Sequence, residues 1–232
     1  MSYRYLGNKT RLTEWIVGEI ARVLPAGASI ADPMCGTASV SVALARSGYS
    51  VLAADALTFP VVHARARLLA KRRPRFTALG GYDSALEWMR SATPTEGYFF
   101  QEFGAAGTPA NGRAPRLYFS AANAAHIDGI REGIRELASA GVLTEVEHSV
   151  LLHQLILAAN KVANISGTYG YFRSSISGPA LKPLSFEPLA FESTSGTHSV
   201  LQGTVEDLAS SFDTDAVYLD PPYTKRQYAG NY

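Results

Sequence analysis

The sequence predicts an α/β fold: a doubly wound parallel sheet interrupted by a largely helical insertion. Three observations point there. The first 75 residues alternate strand-like and helix-like segments. A glycine loop leaves the first strand. After a long helical middle, an apolar strand returns at residues 216–219 and runs straight into Asp220-Pro221-Pro222-Tyr223. Alternating β and α signatures mark a parallel sheet covered by helices.

Taken in order, residues 12–24 place Leu12, Trp15, Ile16, Glu19, Ile20, Val23 and Leu24 near helical spacing, and Pro25-Ala26-Gly27 ends the run. Residues 29–32 form a short buried strand leading into a loop at 33–38. Residues 39–47 read as a helix stopped by Gly48, residues 49–54 as a second strand ending at Asp55, and residues 60–72 as another helix. The stretch 80–115, rich in Gly, Pro, Thr and Ala, reads as loops and short elements. Residues 122–140 are helical, with Ile127, Ile130, Ile134 and Leu137 on one face, and 145–163 form a longer, more apolar helix. Residues 164–183 are loop-like, and strand patterning resumes at 198–202. The sheet is therefore assigned to residues 1–75 and 196–232, and the helical insertion to 76–195.

The 232 residues suffice for one domain, or for a core with one large insertion. At 47% hydrophobic and 18% charged, the composition is that of a globular protein. A net charge of +1 gives no whole-protein attraction for phosphate, so any nucleic-acid binding must gather its cations locally. One cysteine, Cys35, excludes an internal disulfide and fits a reducing compartment. The N-terminus is polar from the start, and no run approaches the ~20 apolar residues of a membrane span. A soluble cytoplasmic protein without membrane partner or metal site is expected.

Four segments carry chemistry. In Ile30-Ala31-Asp32-Pro33-Met34-Cys35-Gly36-Thr37, a glycine loop leaving the first strand lets backbone approach a ligand beyond the strand ends. Asp32 there can hold an ammonium group, although an ordinary strand–helix turn explains the segment equally well in isolation. Asp55, about 20 residues on, can accept hydrogen bonds from ribose hydroxyls or be a plain turn aspartate. Together the two favour an adenosine-containing cofactor. Asp220 can accept a hydrogen bond from an amino group, and a proline-bound carbonyl can accept a second. The Pro-Pro pair is stiff, and Tyr223 offers a face on which a flipped base can stack. Accepting both amino protons leaves the nitrogen lone pair aimed at a methyl sulfonium. The fourth segment, Arg4-Tyr5-Leu6-Gly7-Asn8-Lys9, is by itself only a basic loop before a helix.

In this order the four segments resemble the DNA adenine methylase family with the alpha-type order of motifs. That family shows an N-terminal Y-x-G-x-K element, a D-x-x-x-G-S-G loop, an acid after the second strand and a DPPY motif. Asn160-Lys161-Val162-Ala163-Asn164-Ile165-Ser166-Gly167-Thr168-Tyr169-Gly170 is similar to a segment found between them, and Arg226-Gln227-Tyr228 resembles the residues after the family's DPPY. The resemblance spans most of the chain except 80–115. It implies a Rossmann-like sheet that binds S-adenosylmethionine and transfers methyl to N6 of adenine in double-stranded DNA. Tyr5, Gly7, Lys9, Asp32, Pro33, Gly36 and Asp55 fall on its cofactor-side positions. Asp220, Pro221, Pro222 and Tyr223 fall on its methyl-transfer site. The loop 169–182 falls on its target-recognition region, with Tyr169, Tyr171, Arg173 and Lys182 facing DNA and Arg173 reading a base; a purely structural loop is the alternative for this stretch. Lys225 and Arg226 are placed to hold flanking phosphates. A cognate restriction endonuclease is a candidate partner.

Two departures stand out. Ala38 occupies the place of the second loop glycine, where a positive φ would be strained. The sequence also stops at Tyr232, whereas the family's sheet continues with three more strands, so a missing segment or a second polypeptide is expected to complete it. The densest basic run, Arg65, Arg67, Lys71, Arg72, Arg73 and Arg75, reads as a solvated helix face. Cys35, inside the loop, reads as packing rather than as a nucleophile. Competing readings are methylation of another planar amino group (cytosine N4, an RNA base or a glutamine amide) and an inactive half-domain that binds DNA or a partner.

Overall fold

The computed structural model describes residues 8–112, 114–191 and 193–221. These fall into two units: residues 8–73 with 190–221, and residues 74–189.

The first unit holds a four-stranded parallel sheet in the order β3-β2-β1-β4: β1 Ser29–Asp32, β2 Ser50–Asp55, β3 His198–Gln202 and β4 Ala216–Val217. Ile30, Ala31, Val51, Ala53 and Ala54 are buried, which is why β1 and β2 read as largely apolar runs rather than as alternation. Helix α1 (Thr13–Ala21) contributes Ile16 to the core, and α2 (Ser39–Arg46) contributes Val40, Val42, Leu44 and Ala45. A parallel sheet of this kind gathers the carboxyl ends of its strands at one rim, so Asp32 closes β1, Asp55 closes β2 and Asp220 comes after β4.

Three sequence expectations are corrected by the fold. The strand expected over 216–219 makes ladder pairs only at Ala216 and Val217, although the Tyr218 amide still donates to the Ala31 carbonyl at 2.8 Å. The helix expected over 60–72 is α3 (Thr58–Ala64) running into a π-helical turn, Arg65–Leu69. That basic stretch is not wholly a solvated face, because the Arg67 guanidinium donates to the Thr37 carbonyl.

In the second unit, the stretch read as loops and short elements contains α4 (Tyr82–Ser91) and α5 (Tyr98–Phe103). Tyr82, Ala85, Leu86 and Met89 are buried at helical spacing. Helices α6 (Ala121–Ser139) and α7 (Glu145–Val162) pack on one another. The Ser120 side chain caps α6, and Thr144 with Glu147 forms a capping box on α7. Buried Glu147 also accepts the Phe76 amide at 2.5 Å. Gly129, inside α6, is required by close approach: a Cβ there would sit 2.0 Å from the Thr93 carbonyl oxygen. Among the described residues no helix is long and apolar enough to cross a membrane.

Candidate active site

A cavity of about 310 Å³ opens at the strand-end rim of the first unit, lined by Lys9, Asp32, Pro33, Gly36, Asp55, Asp220 and Pro221. Lys9 and Asp220, 211 positions apart in sequence, thus meet around one space. Tyr5, Gly7, Pro222, Tyr223, Lys225 and Arg226 lie outside the described residues.

Asp32 is almost fully buried. Its Oδ2 accepts a 2.5 Å hydrogen bond from the Ser41 hydroxyl, whereas its buried Oδ1 has no hydrogen-bond partner among the described residues. Burial raises its pKa to about 7, against the Ser41 bond and helped by the nearby charges of Asp220 and Asp55. A neutral acid below that pH, and an unsatisfied acceptor above it, suit a group waiting for a cationic donor.

Asp55 ties two loops together. Its Oδ2 accepts the Gly36 amide at 3.1 Å and its Oδ1 the Leu57 amide at 2.9 Å, while its carbonyl accepts the Gly203 amide at 3.1 Å. Burial raises its pKa, opposed by those amides. The two carboxylate oxygens offer about four acceptor sites between them, so the group can hold the loop and still accept from a ligand hydroxyl. The loop itself turns through two left-handed residues, Gly36 at φ 51° and Ala38 at φ 57°. The positive φ foreseen as strained at Ala38 is therefore present. Cys35 is buried, and burial pushes its thiol pKa well up, which suits a packing residue and not a thiolate nucleophile.

Asp220 meets Lys9. The ammonium bonds Oδ2, and both side chains are largely shielded from solvent. The N-terminal element and the DPPY segment thus share one ion pair on the cavity wall. The turn after β3, Gly203–Glu206, also lines the cavity and escaped the sequence reading. Its signal was Thr204 with Asp207 three residues later, a helix-start pattern that the structure uses to cap α8 (Val205–Leu208). Asn8, within the N-terminal segment, and Tyr218, two residues before Asp220, line the cavity too.

The remaining sequence candidates belong to the second unit. Residues 165–172 form a loop whose base is closed by Asn164 and Arg173. The Arg173 amide donates to the Asn164 carbonyl at 3.0 Å. The Asn164 side chain donates to the Leu117 and Arg173 carbonyls at 2.8 and 3.1 Å. Aromatic side chains support it from below: Tyr118 donates to the Tyr169 carbonyl at 2.7 Å and meets the Phe172 ring at 5.0 Å. Tyr171 is left 82% exposed at the tip. Arg173 and Lys182 are exposed as well, the latter anchored through its carbonyl by Asn123.

Residues 5–232 match the family model of the D12 class N6 adenine-specific DNA methyltransferases. Modification methylase LlaI of Lactococcus lactis subsp. lactis is 35% identical over 237 residues, covering 99% of this chain and 37% of that protein. Type II methyltransferase M.NlaIII of Neisseria lactamica is 32% identical over 233 residues, covering 98% and 66%. Type II methyltransferase M.FokI of Planomicrobium okeanokoites is 29% identical over 235 residues, covering 99% and 35%. The chain therefore spans about a third to two thirds of the length of these curated relatives. No solved structure matches it.

Proposed function

The chain belongs to the D12 class N6 adenine-specific DNA methyltransferase family, and on that premise we propose that it transfers a methyl group from S-adenosylmethionine to N6 of an adenine flipped out of double-stranded DNA. The observation that carries the proposal is the shared cavity on which Asp32, Asp55 and Asp220 converge. Its donor set fits the cofactor: carboxylates and an unsatisfied buried oxygen face a ligand bearing a sulfonium, an ammonium and two ribose hydroxyls. Asp32 takes the ammonium, Asp55 the ribose, and the Gly36 backbone lets the ligand approach closely, with Pro33 beside it. When bound, S-adenosylmethionine supplies an electrophilic methyl group.

Asp220 accepts a hydrogen bond from one N6–H of the adenine, and a backbone carbonyl of the Asp-Pro-Pro segment accepts a hydrogen bond from the other; one of these protons leaves the nitrogen once the methyl–sulfur bond has been exchanged for a methyl–nitrogen bond. The amino lone pair is thereby directed along the transfer line, an interaction that gains strength as the nitrogen becomes cationic. Lys9 orients the Asp220 carboxylate within the cavity. Tyr223 provides the stacking face. Residues 169–182 form the target-recognition region, with Tyr169 and Tyr171 against the DNA and Arg173 reading a base edge, and Lys182, Lys225 and Arg226 hold phosphates. The names of the relatives support a modification role alongside a cognate restriction endonuclease. The outer edge of β4 takes a further strand, from a later segment or a second polypeptide. Among the described residues β4 pairs with β1 and stands at the edge of the sheet, which supports that reading.

The test uses the full-length protein, tritiated S-adenosylmethionine and duplex DNA, with digestion and chromatography of the product. Label is expected in N6-methyladenine, and Asp220→Ala lowers transfer by at least ~100-fold, the usual loss of a contact made in the transition state, while cofactor affinity stays within a few-fold. Label confined to 4-methylcytosine, RNA or protein overturns the proposal.

A further inference from the structure

The cofactor loop contains a conformation that its sequence disfavours. Ala38 is fully buried at φ 57°, ψ 29°, the left-handed region that glycine occupies without penalty. For any other residue that region costs roughly 1–2 kcal/mol and persists only where the surroundings over-determine it. Here the peptide joining Thr37 to Ala38 is held at both ends. The Ala38 amide donates to the Cys35 carbonyl at 2.8 Å, and the Thr37 carbonyl accepts from the Arg67 guanidinium. Pinning both ends of one peptide plane fixes the ψ of Thr37 and the φ of Ala38 together. Arg67 reaches the loop from the π-helical turn Arg65–Leu69, a wide turn of the kind often found at functional sites. Its flanking residues Ala66 and Leu68 are buried, which anchors the base of the side chain.

We propose that Arg67 is a positioning residue of the cofactor loop: by holding the Thr37 carbonyl it keeps Ala38 left-handed and keeps the Gly36–Thr37 backbone against the cavity. It supplies from outside the loop what a glycine at position 38 would supply from within. The proposal rests on the reading that this cavity binds S-adenosylmethionine.

The experiment is calorimetric titration of the full-length protein with S-adenosylhomocysteine, with amide hydrogen exchange over residues 35–38 and near-ultraviolet circular dichroism on each variant. Arg67→Met keeps the bulk of the stem and deletes the donor. It is expected to weaken binding by about tenfold, one strained backbone residue's worth, and to release the Ala38 amide to exchange. Arg67→Lys retains a donor, stays within about threefold of the parent and carries the comparison should the methionine variant unfold. The decisive variant is the double substitution Arg67→Met with Ala38→Gly. Glycine needs no clamp at positive φ, so affinity and amide protection return towards the parent values. A role confined to general stability predicts instead that Arg67→Met lowers the midpoint of the circular-dichroism melt while the affinity of the folded protein and the protection of the Ala38 amide stay at parent values. Parent-like binding by Arg67→Met, or a double variant as weak as the single one, overturns the inference. Absence of binding by the parent protein overturns the cofactor reading itself, and the positioning role with it.

Discussion

Asp32 illustrates what single residues disclose. As an acid ending an apolar strand it is conspicuous in the sequence, and so are Asp55 and Asp220. The burial that sets its chemistry is not visible there, nor is the Ser41 hydroxyl that meets it from the helix. Its pKa rises from 3.8 to about 7, so the folded chain holds the proton more tightly than the unfolded chain. The stability contributed by Asp32 is therefore complete below pH ~4 and is lost as pH climbs through about 7. Ligand binding runs the other way, since an ammonium pairs with the ionised form. Affinity for S-adenosylhomocysteine is expected to increase from pH ~6 to ~8 while the melting temperature of the ligand-free protein declines, and Asp32→Asn should flatten both profiles. Titration calorimetry and thermal melts across that range check this. A parent protein with flat profiles shows that Asp32 does not titrate at the site. Arg67 lay beyond the sequence because one arginine in a basic helix looks like every other. Only the fold brings its guanidinium to the Thr37 carbonyl.

At the scale of elements, periodicity succeeded where it was long. The helices α6 and α7 lie within a residue of their expected bounds, because a stripe of isoleucines in the one and a long apolar run in the other speak clearly. Helix α4 had an equally regular apolar stripe, but glycines and prolines on either side diluted it. The loop after α7 is different, since its shape is set by tertiary hydrogen bonds that no local pattern encodes. Asn164 is the fastener: its side-chain amide satisfies two carbonyls and its own amide reaches the Tyr118 carbonyl at 2.8 Å. Asn164→Ala leaves those two carbonyls without their donor, at a cost of ~1–3 kcal/mol. The loop carrying Tyr171 and Arg173 should then lose its defined shape. Duplex affinity is expected to fall at least tenfold with cofactor affinity unchanged. Filter binding and calorimetry on the same preparation separate the two, and unaltered duplex affinity removes this loop from the DNA interface.

At the largest scale, the 232 residues carry a charge balance of 21 basic against 20 acidic residues. A chain so nearly neutral does not draw in DNA by its overall field, so the proposed phosphate contacts are local ones. The proposed set is Lys182, Lys225 and Arg226, with Arg173 kept for a base. Each phosphate neutralised releases condensed counterions and contributes about −0.9 to the slope of log affinity against log salt. Three contacts give a slope of about −2.7, so affinity changes by roughly 40-fold between ~50 and ~200 mM salt. The two kinds of cation then separate cleanly. Lys182→Ala should weaken cognate and unrelated duplexes alike and reduce the slope by ~0.9. Arg173→Ala should cost ~1–3 kcal/mol on the cognate duplex only and leave the slope of the remaining binding in place. Fluorescence anisotropy over that salt range measures all three quantities. A slope steeper than about −6 would instead require a broad basic face. The run Arg72, Arg73 and Arg75 would then become the surface to substitute next, because its three residues are exposed and none is needed for the cavity.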